Sequence, residues 1–149
     1  MAGRVFSINI SKAKGRPKDR VDSCIVVDGL GIEGDAHAGQ GERQVSLLSL
    51  EAIKTLKEEV GPAGVELRPG MFAENITTAG LDLSGLKPGD KLNIGESVVL
   101  KITAIGKACH SGCSVTQAIG RCIMPKQGIF ASVEKGGGIS VSDRIRVAA

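Results

Sequence analysis

Aromatic side chains are almost missing from this sequence: it has no Trp and no Tyr, and Phe6, Phe72 and Phe130 are the whole set. Proteins that hold single-stranded nucleic acid stack its bases on flat side chains, so that class is disfavoured. Charge of one sign is also scarce. Nineteen Lys and Arg stand against 16 Asp and Glu, a net charge of +3, too little for a general phosphate-backbone footprint but compatible with a local anion site. No apolar run approaches the ~20 residues of a membrane helix. The start, Met1 to Ile10, alternates like a strand and lacks a secretory apolar core. The expectation is a cytoplasmic protein with neither nucleic acid nor membrane as partner, its four Cys kept as thiols.

What is present is glycine, 21 of 149 residues, about twice the usual share. Many turns between short apolar runs argue for strands over a helical bundle. Val5–Ile10 reads as a strand with Phe6, Ile8 and Ile10 on one face. The basic stretch Ser11 to Arg20, broken by Gly15 and Pro17, reads as a solvated loop, with a basic arm closing over an anionic ligand as the functional alternative. Val21–Val27 is a second strand that ends at the Asp28-Gly29 turn, with Cys24 read as inert core. Arg43–Ser49 is a strand running into one convincing helix, Leu50–Val60. Ser49 is placed to cap it, Leu50, Ile53, Leu56 and Val60 form its apolar stripe, and Gly61-Pro62 stops it.

Beyond that helix the pattern is β throughout. Phe72–Thr77, Leu92–Ile94 with Val98–Ile105 as a hairpin, Ile129–Val133, a Gly136-Gly137-Gly138 turn and Arg144–Val147 complete the set. Seven or eight short strands with turn signals between them predict a single mainly-β domain over residues 1–149: a small closed or partly open β-barrel with one or two short helices, plugged by aliphatic residues.

Three of the four Cys crowd into Cys109-His110-Ser111-Gly112-Cys113 and Cys122, on a long connection between two strands, where function concentrates. Thiolates are the reactive and metal-binding form, and Lys107, His110, Arg121 and Lys126 supply the nearby positive charge that favours them. Three readings stay open. One is a structural zinc site on Cys109, His110, Cys113 and Cys122, whose spacing departs from paired CxxC. Another is ordinary packing of small residues. The last is a reactive thiol with resolving partners, carrying persulfide sulfur or binding a soft metal such as molybdenum. A second constellation is Gly31 to Gly39, where Asp35 and His37 stand two residues apart. In an extended loop they project to one side, and a carboxylate there orients an imidazole. Arg43 follows within reach of an anion. The alternative is a plain turn with an exposed His. A Cys-His-Asp hydrolase is also conceivable from these types, but no nucleophile-elbow motif supports it. Glu74 and Asn75, in Gly70 to Ile76, are either polar groups at a strand end or acceptors for a cofactor's donors.

Several of these segments, in order, resemble the MOSC domain, the C-terminal domain of molybdenum-cofactor sulfurase. They are Gly34-Asp35-Ala36-His37-Ala38-Gly39, Phe72-Ala73-Glu74-Asn75-Ile76, Leu86-Lys87-Pro88-Gly89-Asp90 with Ile94-Gly95, Gly120-Arg121-Cys122-Ile123-Met124-Pro125, and Gly137 through Val147. The resemblance implies a β-barrel and a role in handling sulfur or molybdenum for the molybdenum cofactor. In sulfurase-like members a Cys is proposed to accept sulfur from a pyridoxal-phosphate-dependent desulfurase; in amidoxime-reducing members an equivalent Cys ligates molybdenum. Cys122 best matches that position. Its implied role is sulfur carrier or metal ligand, with Cys109 and Cys113 resolving a persulfide or joining a metal site, and His110 beside them.

Neither the pyridoxal-phosphate domain of the sulfurase nor the extra N-terminal domain of the amidoxime reducers fits in 149 residues. The implied protein is therefore an accessory one, working with a cysteine desulfurase or other cofactor-biosynthesis proteins, rather than a self-sufficient enzyme. Asp35, His37, Arg43, Glu74, Asn75 and Arg121 are the residues expected to bind the cofactor, with His37, Asp35 and Arg43 meeting an anionic ligand such as a pterin phosphate or oxometalate. Two alternatives accompany this: a binding module with structural zinc, and a molybdenum-dependent reductase component for N-hydroxylated compounds.

Overall fold

The structure is a computed structural model and describes residues 2–13, 18–39, 41, 43–60, 68–105 and 128–148. In chain order the elements are β1 (Ala2–Ile10), β2 (Asp19–Val21), β3 (Ser23–Val27), β4 (Gly31–Ile32), β5 (Val45–Ser49), α1 (Leu50–Val60), β6 (Ile76–Ala79), β7 (Lys91–Ile94), β8 (Val98–Ile105), β9 (Ile129–Lys135), β10 (Gly137–Ser140) and β11 (Arg144–Val147). The expected mainly-β architecture is present. Strands β1, β11, β7, β8, β9, β5 and β6 pair in that order, and β6 returns to β1, so the barrel is closed. Closure removes the unpaired edges that an open sheet this size would expose. β2 hangs on the far half of β1, and β10, β3 and β4 form a separate three-stranded sheet.

Among the described residues every pair of strands is antiparallel except β5 and β6. Parallel neighbours need a long crossover, and α1 lies within this one. Ser49 caps the helix as the sequence predicts, its hydroxyl accepting the Ala52 N–H at 3.0 Å. The buried face is Ala52, Ile53 and Leu56, with Leu50 half-exposed, so the stripe is rotated towards Ala52. These residues pack with Leu48, Phe72 and Phe130 on the outside of the barrel wall, and each large apolar side chain buried there contributes roughly 1.5–3 kcal/mol. The barrel interior is aliphatic, as expected, with Val5, Ile8, Leu47, Ile76, Leu100 and Ile145 among its fully buried members.

Local deviations from the sequence pattern have physical causes. Val5 and Ile8 both face inward although three residues apart, because the β1–β6 register shifts between Val5 and Ser7. The bulge breaks strict alternation and leaves Phe6 and Ile10 only half-buried. The expected Val21–Val27 strand divides at Asp22, so that Val21 pairs with β1 while Ser23–Val27 joins β10. The Gly136-Gly137-Gly138 turn is a correction too: Gly137 and Gly138 begin β10 and pair with Val26 and Ile25. A Cβ on Gly136 would fall on the Val26 carbonyl oxygen, so close backbone approach, not a turn, requires glycine there.

Candidate functional site

After β4 the chain turns tightly through Gly34, whose φ of 87° favours glycine. The turn is fixed by Asp35 N–H to Ile32 O at 3.1 Å and Gly39 N–H to Leu30 O at 2.8 Å. It carries Asp35 inward against the end of β1. There Asp35 Oδ1 accepts the Ser11 N–H at 3.0 Å and Lys18 Nζ at 2.7 Å, while Oδ2 accepts the His37 N–H at 2.9 Å. Ala36 N–H donates back to Ser11 O at 2.8 Å, so turn and strand end are tied both ways.

Lys18 and Asp35 are both fully closed to solvent in their side chains. Burial by itself would push the Asp35 carboxyl up. The polar donors around it, the His37 ring, the Lys18 ammonium, the Asn75 amide and the His37 backbone N–H, outweigh it and hold the group well below the usual carboxylate range. The His37 ring lies alongside: Nδ1 is 3.4 Å from Asp35 Oδ2. That is longer than a well-formed hydrogen bond but near enough for electrostatic pairing. Asp35 and His37, two residues apart in the sequence, thus meet in the fold.

A second polar layer lies under this one. Glu74 and Asn75 are fully buried, and their polar atoms serve the protein's own backbone. Glu74 accepts the Gly70 N–H at 3.0 Å, the Phe72 N–H at 3.3 Å and the Thr77 hydroxyl at 2.8 Å. Burial still pushes its carboxyl up, against the lowering effect of those bonds. Asn75 Oδ1 accepts the Ser46 N–H at 3.0 Å, and its amide donates to Asn9 O at 3.2 Å. Lys18 N–H donates to Gly70 O at 2.7 Å. The loop Glu74 holds is thereby joined to the lysine that pairs with Asp35. Glu74 and Asn75 shape the site from beneath instead of facing a ligand.

Arg43 is exposed, its guanidinium stacked over the Phe130 ring at 5.2 Å, an arrangement that holds the charge at the surface. Phe130 pairs with Ser46 across β5 and β9, and Ser46 is bonded to Asn75. Arg43 and the Asp35 cluster are therefore joined through one continuous stretch of sheet. Cys109, His110, Cys113, Arg121 and Cys122 lie outside the described residues. The flanks of their segment are described: Ile105 pairs with Ile129, which pairs with Leu47 on β5, next to Ser46. Among the described residues no group of three or more His, Cys, Asp or Glu is placed to hold a metal ion. Cys24 is half-buried, and its thiol is pushed up to about 12, by burial first and then by the Asp35 charge, in keeping with an inert thiol.

A hollow of about 580 Å³ lies at the start of α1, lined by Ser49, Glu51, Asp82, Leu83 and Ile105 among others. Among the described residues, none of those expected at the site lines it. Sequence reasoning missed Lys18, Ser46 and Asn9. Lys18 sits in a run with Lys12, Lys14 and Arg16, and nothing local in the sequence marks it as a buried member of that run.

Comparison with known proteins places this geometry in context. Residues 34–146 match the family described as the MOSC domain. The YuaD protein from Bacillus subtilis superposes with a TM-score of 0.80 at 21% identity, covering 99% of this chain and 96% of that one. YiiM from Escherichia coli gives 0.73 at 21%, over 100% of this chain and 70% of that one, and YiiM from Geobacillus stearothermophilus 0.72 at 18%, over 99% and 75%. Among curated proteins no sequence match is found.

Proposed function

Because the chain belongs to the MOSC domain family, named for the sulfurase of the molybdenum cofactor, we propose that it carries sulfur, or binds molybdenum or its cofactor, during maturation of that cofactor. The observation that carries this reading is the cluster of Lys18, Asp35 and His37, of which Asp35 and His37 fall within the family-matched residues 34–146, as does the exposed Arg43. The exposed Arg43 guanidinium suits the anionic part of such a ligand, a phosphate or an oxometalate, and the His37 ring supplies a further polar edge. The described residues fit that anionic part, whereas the sulfur ligand falls to Cys122, with Cys109, Cys113 and His110 as auxiliaries and Arg121 as a neighbouring cation. When bound, molybdenum supplies the redox and oxo or sulfido chemistry; this chain's residues bind and orient.

In the sulfur-carrying role the donor is the persulfide of a pyridoxal-phosphate-dependent cysteine desulfurase. The Cys122 thiolate attacks its outer sulfur, one S–S bond forms, the donor's S–S bond breaks, and the desulfurase leaves as thiolate, with no net oxidation. The soluble accessory role fits a chain in which, among the described residues, no helix is long and apolar enough to cross a membrane. The test is to incubate the purified protein with a cysteine desulfurase and cysteine and read the intact mass. A single added sulfur, lost in Cys122→Ser, is expected. A wild-type protein that gains no sulfur and also retains no molybdate on equilibrium dialysis ends the proposal.

A further inference from the structure

The Asp35 cluster does more than neutralise a buried charge. Its two carboxylate oxygens are occupied asymmetrically: Oδ1 takes Lys18 Nζ and the Ser11 N–H, while Oδ2 takes the His37 backbone N–H and faces the His37 ring. Lys18 Nζ also reaches the Ser11 hydroxyl at 3.3 Å, so the ammonium is braced just past the end of β1 as well. The carboxylate therefore cannot rotate without breaking a buried ion pair. On the ring, Nδ1 is buried and has no hydrogen-bond partner at ordinary geometry; the acceptor within reach is Oδ2, at 3.4 Å. A buried nitrogen facing an ionised carboxylate is favourable only when it carries the proton. The ring is partly open to solvent, 13% of its side chain, and with Nδ1 sealed the remaining nitrogen, Nε2, lies at the open edge.

We propose that Asp35, positioned by Lys18, fixes His37 as the Nδ1–H tautomer and presents a bare Nε2 lone pair to whatever the site binds. This rests on the functional reading of the site above and sharpens its ligand class: the group that meets His37 carries an O–H or N–H, as a hydrogen-oxyanion or a pterin ring does. A fully deprotonated oxyanion would meet a lone pair at His37, so that part of a ligand falls to the Arg43 guanidinium instead. Asp35 and Lys18 are positioning residues in this scheme, acting through His37. Among the described residues the groups facing Asp35 are Lys18, Ser11, His37 and Asn75, and its charge also reaches Cys24. Of these contacts the one from Lys18 Nζ, at 2.7 Å, is the shortest, so Lys18 anchors the carboxylate in this orientation.

The chain has two histidines, His37 and His110, which makes the test direct. Long-range ¹H–¹⁵N correlation spectra of the full-length, ¹⁵N-histidine-labelled protein are recorded at about pH 9, where imidazoles are neutral, and His37→Gln assigns the signals. The expected result is a protonated Nδ1 and an unprotonated Nε2 for His37. An Nε2–H form, or an even mixture, in the wild-type protein overturns the proposal. Asp35→Asn is expected to lose the Nδ1–H signature, and so is Lys18→Met, while Lys18→Arg keeps it. Retention of the signature in a folded Asp35→Asn or Lys18→Met protein would equally defeat it. If either of these variants fails to fold, the wild-type and Lys18→Arg spectra still decide. The spectra involve no ligand and no thiol, so they can fail while the sulfur-transfer assay succeeds, and the reverse.

Discussion

Lys18 Nζ sits 2.7 Å from Asp35 Oδ1, with both side chains entirely closed to solvent. The two residues are joined in space by a strand end and a turn that a linear reading treats separately. Breaking one side of such a pair leaves the other charge stranded, which typically costs about 3–5 kcal/mol. Asp35→Asn is therefore expected to lower the urea unfolding free energy by roughly that amount. The double variant Lys18→Met with Asp35→Leu should recover a large part of it, since apolar replacement of a buried pair is often near neutral. Additive losses in the double variant would show that the pair is not coupled.

The two buried carboxyls give opposite pH dependences. Asp35 is held below its ordinary value, so its contribution is complete above the unfolded value of about 3.9 and is lost as pH falls through the lower folded value. Glu74 is pushed above its ordinary value. Its contribution is complete below about 4.3 and is lost as pH rises through the folded value. Urea titrations from acid to neutral pH should show stability falling on the acid side, less steeply in a folded Asp35→Asn protein. Glu74→Gln should remove a decline on the way up from about pH 4.3. Superimposable pH profiles for wild type and Glu74→Gln would contradict the Glu74 assignment.

Gly70 has a φ of 88°, and a Cβ there would stand 2.5 Å from the Lys18 carbonyl oxygen. Gly70→Ala combines left-handed strain with a backbone clash and is expected to cost roughly 2–4 kcal/mol. Ala73, three residues on, holds a φ of 64° without being glycine. Ala73→Gly should relieve that strain and leave stability unchanged or raised by under about 1 kcal/mol, the gain offset by extra freedom in the unfolded chain. Thermal melts of both variants test this; an Ala73→Gly protein as unstable as Gly70→Ala would refute it.

Thr78 Oγ1 is buried without a hydrogen-bond partner among the described residues. Thr78→Val keeps the shape and removes the orphan hydroxyl, so it should stabilise by about 1 kcal/mol. A loss of stability would mean that the hydroxyl has a partner after all.

The Cys24 thiol, pushed up to about 12, supplies almost no thiolate at neutral pH. Timed alkylation at pH 8 followed by peptide mapping should label Cys109, Cys113 or Cys122 well before Cys24. First labelling at Cys24 would count against the ranking. At the surface, Arg43→Ala should weaken binding of an oxyanion such as molybdate about tenfold, the value of one charge-assisted hydrogen bond; equal dialysis constants would remove Arg43 from the site.

The sequence by itself determined the elements whose signals are local. Ser49 followed by an apolar stripe and Gly61-Pro62 is enough to specify α1, and Leu92–Ile94 with Val98–Ile105 specifies a hairpin, because capping, periodicity and turn chemistry act within a few residues. Asp35 and His37 were legible as a pair for the same reason: two residues in one turn. Tertiary structure decided the rest. The bulge after Val5 exists because β1 must serve β11 and β6 along its length while bending around a closed barrel. The burial of Lys18 depends on Asp35, 17 positions away, and on Gly70, reached only through the barrel wall. Glu74 and Asn75 carry the polarity of ligand-facing groups in the sequence, yet the fold turns them inward to satisfy backbone donors. Which polar groups meet solvent and which meet one another is settled by long-range desolvation, and no local pattern encodes it.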